Sequence, residues 1–335
     1  MDRILISGGA GFIGSHLCEF LLKKGYYIYC LDNFSTGSRE NLNQIEPKSD
    51  LDIFKVDISN YNLIESYFID VDWVFHLAGL ADVVPSIQIP LRYHSSNVDG
   101  TISVLEASRS AGIKKLIYTA SSSCYGMPEM YPTPETADIS PQYPYALTKY
   151  IGEQYVVHWN KIYNIPITSL RLFNVFGPRS RTSGAYGAVF GVFLSQKIHN
   201  KPFTVVGNGN QTRDFIFVTD VVNALIKTAE SDTENEIFNV GSGNPHSINN
   251  LVELIGGDVV YIPKRPGEPD CTHADITKIK KTIGWEPKVT FKDGVKIMLN
   301  NIEYWKDGPV WNKDTIGEAT KEWFDYLSKG EKRED

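Results

Sequence analysis

The chain has 335 residues, with 33 Lys+Arg against 40 Asp+Glu and a net charge of −7. Apolar residues make up 42% and charged residues 22%, a globular mixture that excludes disorder or a coiled coil as the main architecture. The acidic balance excludes a general nucleic-acid binder, yet leaves room for a small anion held by a few local arginines.

The start MDRILISGGAGFIG has no basic-then-apolar leader, and no apolar run approaches the ~20 residues of a membrane span. Cys18, Cys30, Cys124 and Cys271 form no CxxC pair, so reduced thiols are expected, with no structural metal, in a cytoplasmic protein. Apolar runs predict strands at Arg3–Ser7, Tyr26–Leu31, Leu51–Val56, Trp73–Leu77, Lys115–Thr119 and Ile167–Leu172. Amphipathic stretches at Phe12–Lys24, Ser95–Ala111 and Pro144–Tyr163 predict helices between them. Strands spaced by helices imply an α/β fold: a doubly wound parallel sheet of Rossmann type.

Asn174–Gly187 reads as a loop, Ala188–His199 as a helix, and Asp214–Val240 as a helix and strand rejoining the sheet. The expected division is a cofactor domain over residues 1–172, with 214–243 returning to it. A smaller C-terminal substrate-binding lobe would comprise 173–213 and 244–335. Near the end, Ile316, Thr320, Trp323 and Leu327 line one face of a helix expected to dock on the body.

The first strand runs into Gly8-Gly9-Ala10-Gly11-Phe12-Ile13-Gly14 and then a helix. Glycines in that position permit a tight turn and bring backbone amides, with Phe12 and Ile13 among them, close to a pyrophosphate at a helix N-terminus. Asp32, at the end of the second strand, can accept hydrogen bonds from a ribose and would repel a 2′-phosphate, which favours NAD over NADP. Asn33 beside it, Asp57 and Ile58 after the third strand, and Leu77 and Ala78 after the fourth complete the expected cofactor contacts. Tyr145 and Lys149 are four apart in a helical stretch, which puts them on one face; a nearby ammonium stabilises phenolate and makes the tyrosine a useful general base. A serine cluster, Ser121-Ser122-Ser123, follows the fifth strand. The histidines show no metal-ligand spacing, and His76, His94, His158 and His246 read as structural or surface groups.

These strings together (GGAGFIGSHL, LDNFSTG, HLAG, SSSCYG, the YxxxK of Tyr145 and Lys149, LRLFNVFGPR and QTRDFIFVTD) resemble the nucleotide-sugar branch of the extended short-chain dehydrogenase/reductases, most of all its UDP-hexose 4-epimerases. The resemblance implies that Tyr145 is the general base and that Lys149 binds the nicotinamide ribose. It implies further that Ser121 bonds the reacting hydroxyl, with Ser122 and Ser123 lining the sugar site. Asn174 would contact the sugar or diphosphate, Arg213 and Arg265 would hold the diphosphate, and small Thr272 would stand at a gate for acetamido sugars. Arg181 would meet a C6 carboxylate or remain an exposed loop charge.

The implied activity is reversible C4 epimerisation of a UDP sugar, of glucose/galactose or N-acetylhexosamine type, with tightly bound NAD in a homodimer. The alternatives are a UDP-glucuronate 4-epimerase or decarboxylase, a 4,6-dehydratase, and a non-catalytic NAD-binding scaffold. Sugar 4,6-dehydratases resemble the chain but carry Asp-Glu where it has Ser122 and Ser123, which disfavours elimination of water.

Overall fold

The computed structural model describes residues 2–43, 45–46, 48–180 and 187–328. Six strands arise in the first half: β1 (Arg3–Ser7), β2 (Tyr27–Asp32), β3 (Leu51–Lys55), β4 (Trp73–His76), β5 (Lys115–Ser121) and β6 (Ile167–Leu172). Then come β7 (Asn174–Phe176), β8 (Phe203–Val206), β9 (Thr212–Arg213), β10 (Phe215–Phe217), β11 (Glu236–Val240), β12 (His246–Ser247) and β13 (Val259–Ile262). The first six and β11 form one parallel sheet in the order β11-β6-β5-β4-β1-β2-β3. Their apolar runs are continuous because both faces are covered: Ile4, Leu5 and Ile6 on β1 have no exposed surface.

On one face the helices Phe12–Lys23 and Val218–Glu230 close a core around Leu17, Leu21, Val221 and Leu225. On the other, Gly100–Ala111 and Pro144–Tyr163 close a second core around Val104, Leu105, Tyr118 and Val156. The second of these helices begins at a proline, whose missing N–H costs nothing there, and ends at Asn164 in the left-handed region. Strand order reverses at β1, between β2 and β4, and this switch point opens a crevice at the carboxyl ends of the strands.

A third apolar cluster lies beside the sheet. Phe176 stacks on Phe190 at 4.5 Å and Phe215 on Phe291 at 5.1 Å, with Phe203, Leu251 and Trp305 buried around them. Three two-stranded pairs, β7 with β10, β8 with β13 and β9 with β12, frame it. The loop expected from Asn174 thus begins as a strand, because Val175 and Phe176 find an apolar partner strand in β10. His246 likewise lies on a short strand, paired with Arg213. Ile279 and Trp285 fall within 244–335 but pack in the large-sheet core, where Trp285 Nε1 donates to the Asp220 carbonyl.

Ser95–Ala111 opens with a π turn at Ser95–Asp99. The single C-terminal helix expected is instead two, Lys313–Ala319 and Lys321–Leu327, meeting at Thr320. Ile316, Thr320 and Trp323 are buried and Leu327 is half-buried, so the docked face is present but bent. No helix of the described residues is long and apolar enough to cross a membrane.

Candidate active site

The crevice and the smaller lobe share one cleft of about 680 Å³. At its sheet end the chain turns after β1 with Gly8 at φ +75, where a Cβ would sit 2.7 Å from the Ala78 nitrogen. A Cβ on Gly14 would lie 2.2 Å from the Gly8 carbonyl oxygen. Only glycines allow this packing, which brings the turn against Leu77 and Ala78. The helix that follows has Gly11 at its N-cap and no side-chain cap, so its first-turn amides are left for a ligand.

Asp32 Oδ2 accepts from the Ala10 amide at 3.0 Å and Oδ1 from the Phe34 amide at 2.8 Å, which aims the carboxylate at the end of β2. Burial holds its carboxyl above the usual range. Asn33 donates to Asp57 at 3.0 Å, and both line the cleft with Ile58, Leu77 and Ala78. A pyrophosphate fits the cradle, and a ribose fits the carboxylate.

Tyr145 and Lys149 face this cleft from the helix Pro144–Tyr163. Ser121 is the last residue of β5, two residues beyond the predicted strand end, because β6 continues the ladder to the pair Ser121–Leu172. Its Oγ lies 2.8 Å from Ser123 Oγ, and Ser122 and Ser123 also line the cleft. Tyr145 is only half-buried, yet the surrounding protein raises its pKa by burial, and a hydrogen bond from Ser121 opposes that rise. Burial pushes Lys149 down to about 7, with the Glu153 carboxylate working against it. Lys149 Nζ sits 4.4 Å from the centre of the Tyr118 ring.

Three further groups support the site, and of their residues only His76 and Arg171 lie in the sequence motifs. Asn97, in the π turn, donates from Nδ2 to the Leu80 carbonyl and the Thr148 hydroxyl and accepts from the Leu80 amide, tying the loop after β4 to the Tyr145 helix. Glu153 and Arg171 form a buried pair with hydrogen bonds of 2.6 to 3.2 Å, and Arg171 also donates to Tyr125. Glu153 follows Lys149 by four residues, the one signal that could have marked it. His76 is held between Ser7 at 2.7 Å and Thr101 at 2.9 Å, and burial, then the charge of Lys149, pushes it down to about 3. It is a neutral structural group.

At the other end of the cleft Arg213 and Arg265 converge on Glu268, at 4.0 and 3.2 Å. Arg213 does not pair with Asp214. That carboxylate is fully buried and accepts from the amides of Gly243 at 3.0 Å and Ala274 at 2.8 Å, knitting three loops together. Thr272 donates to Asn174 Oδ1 at 2.9 Å and accepts from the Asp214 amide at 2.9 Å, so its hydroxyl is engaged in orienting Asn174. Arg181 lies outside the described residues. Among those described, no cluster of three or more His, Cys, Asp or Glu side chains could hold a metal ion. The site thus offers a turn whose backbone fits a dinucleotide, a tyrosine–lysine pair with hydroxyls beside it, and two arginines able to bind phosphate oxygens in bidentate fashion.

The family model described as GDP-mannose 4,6 dehydratase matches residues 5–298. The chain belongs to that family of nucleotide-sugar epimerases and dehydratases. It is 37% identical over 305 residues to a putative UDP-glucose 4-epimerase of Methanocaldococcus jannaschii, covering 89% of this chain and 97% of the relative. Among solved structures, a UDP-N-acetylglucosamine 4-epimerase from Methanobrevibacter ruminantium, in complex with UDP-N-acetylmuramic acid, superposes with a TM-score of 0.84 at 35% identity, over 90% of this chain and 99% of that one. A UDP-glucuronic acid 4-epimerase from Bacillus cereus, in complex with UDP-glucuronic acid and NAD, gives 0.84 at 31% identity over the same shares.

Proposed function

We propose that the protein is an NAD-dependent UDP-sugar 4-epimerase acting on a UDP-hexose of glucose/galactose or N-acetylhexosamine type. The observation that carries this reading is a cluster of three hydroxyls, Ser121 to Ser123, beside Tyr145 in the same cleft as Arg213 and Arg265. Oxidation at C4 needs a base and a hydroxyl-bonding partner, whereas elimination of water needs a further carboxylate. The serine cluster holds no carboxylate, and those that line the cleft, Asp32, Asp57, Asp82 and Glu268, lie outside it.

Gly8, Gly11, Phe12, Ile13, Gly14, Asp32, Asn33, Asp57, Ile58, Leu77 and Ala78 would hold NAD, which would supply a reversible hydride acceptor, so that one turnover would close its own redox balance. Tyr145 takes the O4 proton as phenolate and returns it. Ser121 holds O4 and shortens the proton path, and Lys149 binds at the ribose. Arg213 and Arg265 grip the diphosphate while the 4-keto sugar turns to present its other face. Anchoring at the UDP end with a loosely held sugar is what permits that rotation.

A homodimer in the cytoplasm completes the reading. Leu91, 85% exposed, and Leu147, Ile162 and Tyr163, each about half exposed, leave apolar surface on the helices Pro90–His94 and Pro144–Tyr163. Proton NMR of the purified protein with a panel of UDP sugars and no added cofactor tests the activity. A C4 epimer is the expected product; a 4-keto-6-deoxy sugar or released carbon dioxide would replace the reading with a dehydratase or a decarboxylase.

A further inference from the structure

The C-terminal helix Lys321–Leu327 lies beyond residue 298, where the family match ends, and contains none of the sequence motifs of the site. Yet Trp323 lines the cleft while only 3% exposed. Its Nε1 donates to the Pro266 carbonyl at 2.8 Å, and the Arg265 guanidinium lies 5.5 Å from the centre of its ring. The Tyr143 ring lies 6.2 Å from it and in turn stacks on Tyr145 at 6.4 Å and 7°. Leu327 meets the turn at Gly267, and the same helix packs against Val83–Gln88 on the sheet side of the cleft. One short helix therefore touches both the arginine loop and the tyrosine neighbours.

Ile316 already roots the C-terminal segment in the core of the smaller lobe, so the segment does not need Trp323 to stay attached. Trp323 is instead spent on polar elements of the site. An arginine that must meet a diphosphate in a bidentate way loses rotamer freedom on binding, and a ring face that holds the guanidinium beforehand reduces that loss. Glu268, 3.2 Å from the same guanidinium, steadies it from another direction.

We propose that Trp323 is a positioning residue of the sugar-nucleotide site, pre-orienting Arg265 for the diphosphate and backing Tyr143 behind the sugar compartment. This rests on the reading of the cleft as a UDP-sugar site. The test uses the full chain, with UDP binding by calorimetry, steady-state KM and kcat, bound NAD and melting temperature. Trp323→Leu, which keeps apolar volume but no ring face, is expected to weaken UDP binding and raise KM about tenfold, with kcat and NAD content nearly unchanged. Trp323→Phe, which keeps the ring and loses the donor, should recover most of that loss. In an Arg265→Ala background the Leu substitution should weaken UDP binding little further, a non-additivity that a purely structural role would not produce.

Wild-type UDP affinity in Trp323→Leu, whatever its melting temperature, would overturn the proposal. So would a Phe variant no better than Leu, or full additivity with Arg265→Ala. A wild-type protein that binds no UDP or UDP sugar would overturn the reading of the cleft itself, and the proposal with it.

Discussion

The two ends of the cleft are built in different ways. The cofactor end is made of backbone: a glycine turn, an uncapped helix start and a carboxylate held by two amides, nearly all within the first 33 residues. The sugar end is made of side chains from β5, β7, β9, the loop 265–272 and the C-terminal helix, separated by up to 200 residues of chain. A local backbone device works wherever its own short sequence folds. A side-chain assembly works only when distant segments are pinned, which is the part played by Asp214, Thr272 and Trp323.

Four substitutions test that contrast, the largest effect first. Tyr145→Phe removes the proposed base and should cut kcat by about 10²–10⁴-fold while leaving NAD content and UDP affinity unchanged. Retained activity would place the proton transfer elsewhere. Gly14→Ala pushes a methyl into the Gly8 carbonyl, so purified protein should lose bound NAD, with activity returning only partly when NAD is added; normal NAD content would show that the turn has slack.

Arg213→Ala acts at the other end and should raise KM by about 10–100-fold with little change in kcat, since a charge-assisted hydrogen bond contributes about 1.5–3 kcal/mol. An equal fall in kcat at unchanged KM would mean that the arginine serves the chemistry instead of anchoring.

The smallest effect concerns pH. His76 is neutral in the fold down to about pH 3 but takes up a proton when unfolded below about pH 6.5. The unfolded state therefore binds more protons in that window, and stability contributed through His76 falls as pH drops, by up to about 1.4 kcal/mol per pH unit. His76→Gln should flatten the decline in melting temperature between pH 6.5 and 5; an unchanged slope would assign the acid sensitivity to other groups.

Much of the cofactor end was legible from residue order. The glycine spacing, Asp32 and the strand–helix alternation each depend on neighbours in sequence, and β1, β6 and the helix Pro144–Tyr163 match their predicted bounds. The strand at Asn174–Phe176 was not legible, because it exists only through its pairing with β10. Nor was the depth at which the packed protein buries the Tyr145–Lys149 pair. Spacing places them on one face, but only the protein packed around them sets the burial that raises Tyr145 and lowers Lys149.

The chain by itself determines its family, its parallel sheet and the chemistry of its cofactor turn, because these follow from local periodicity and from glycines that no other residue can replace. Only the tertiary structure brings Glu268 between two arginines, ties Thr272 to Asn174 and bends the C-terminal helix so that Trp323 meets Arg265. Such contacts are set by how distant surfaces pack, and residues far apart in sequence carry no periodic signal of where they will meet.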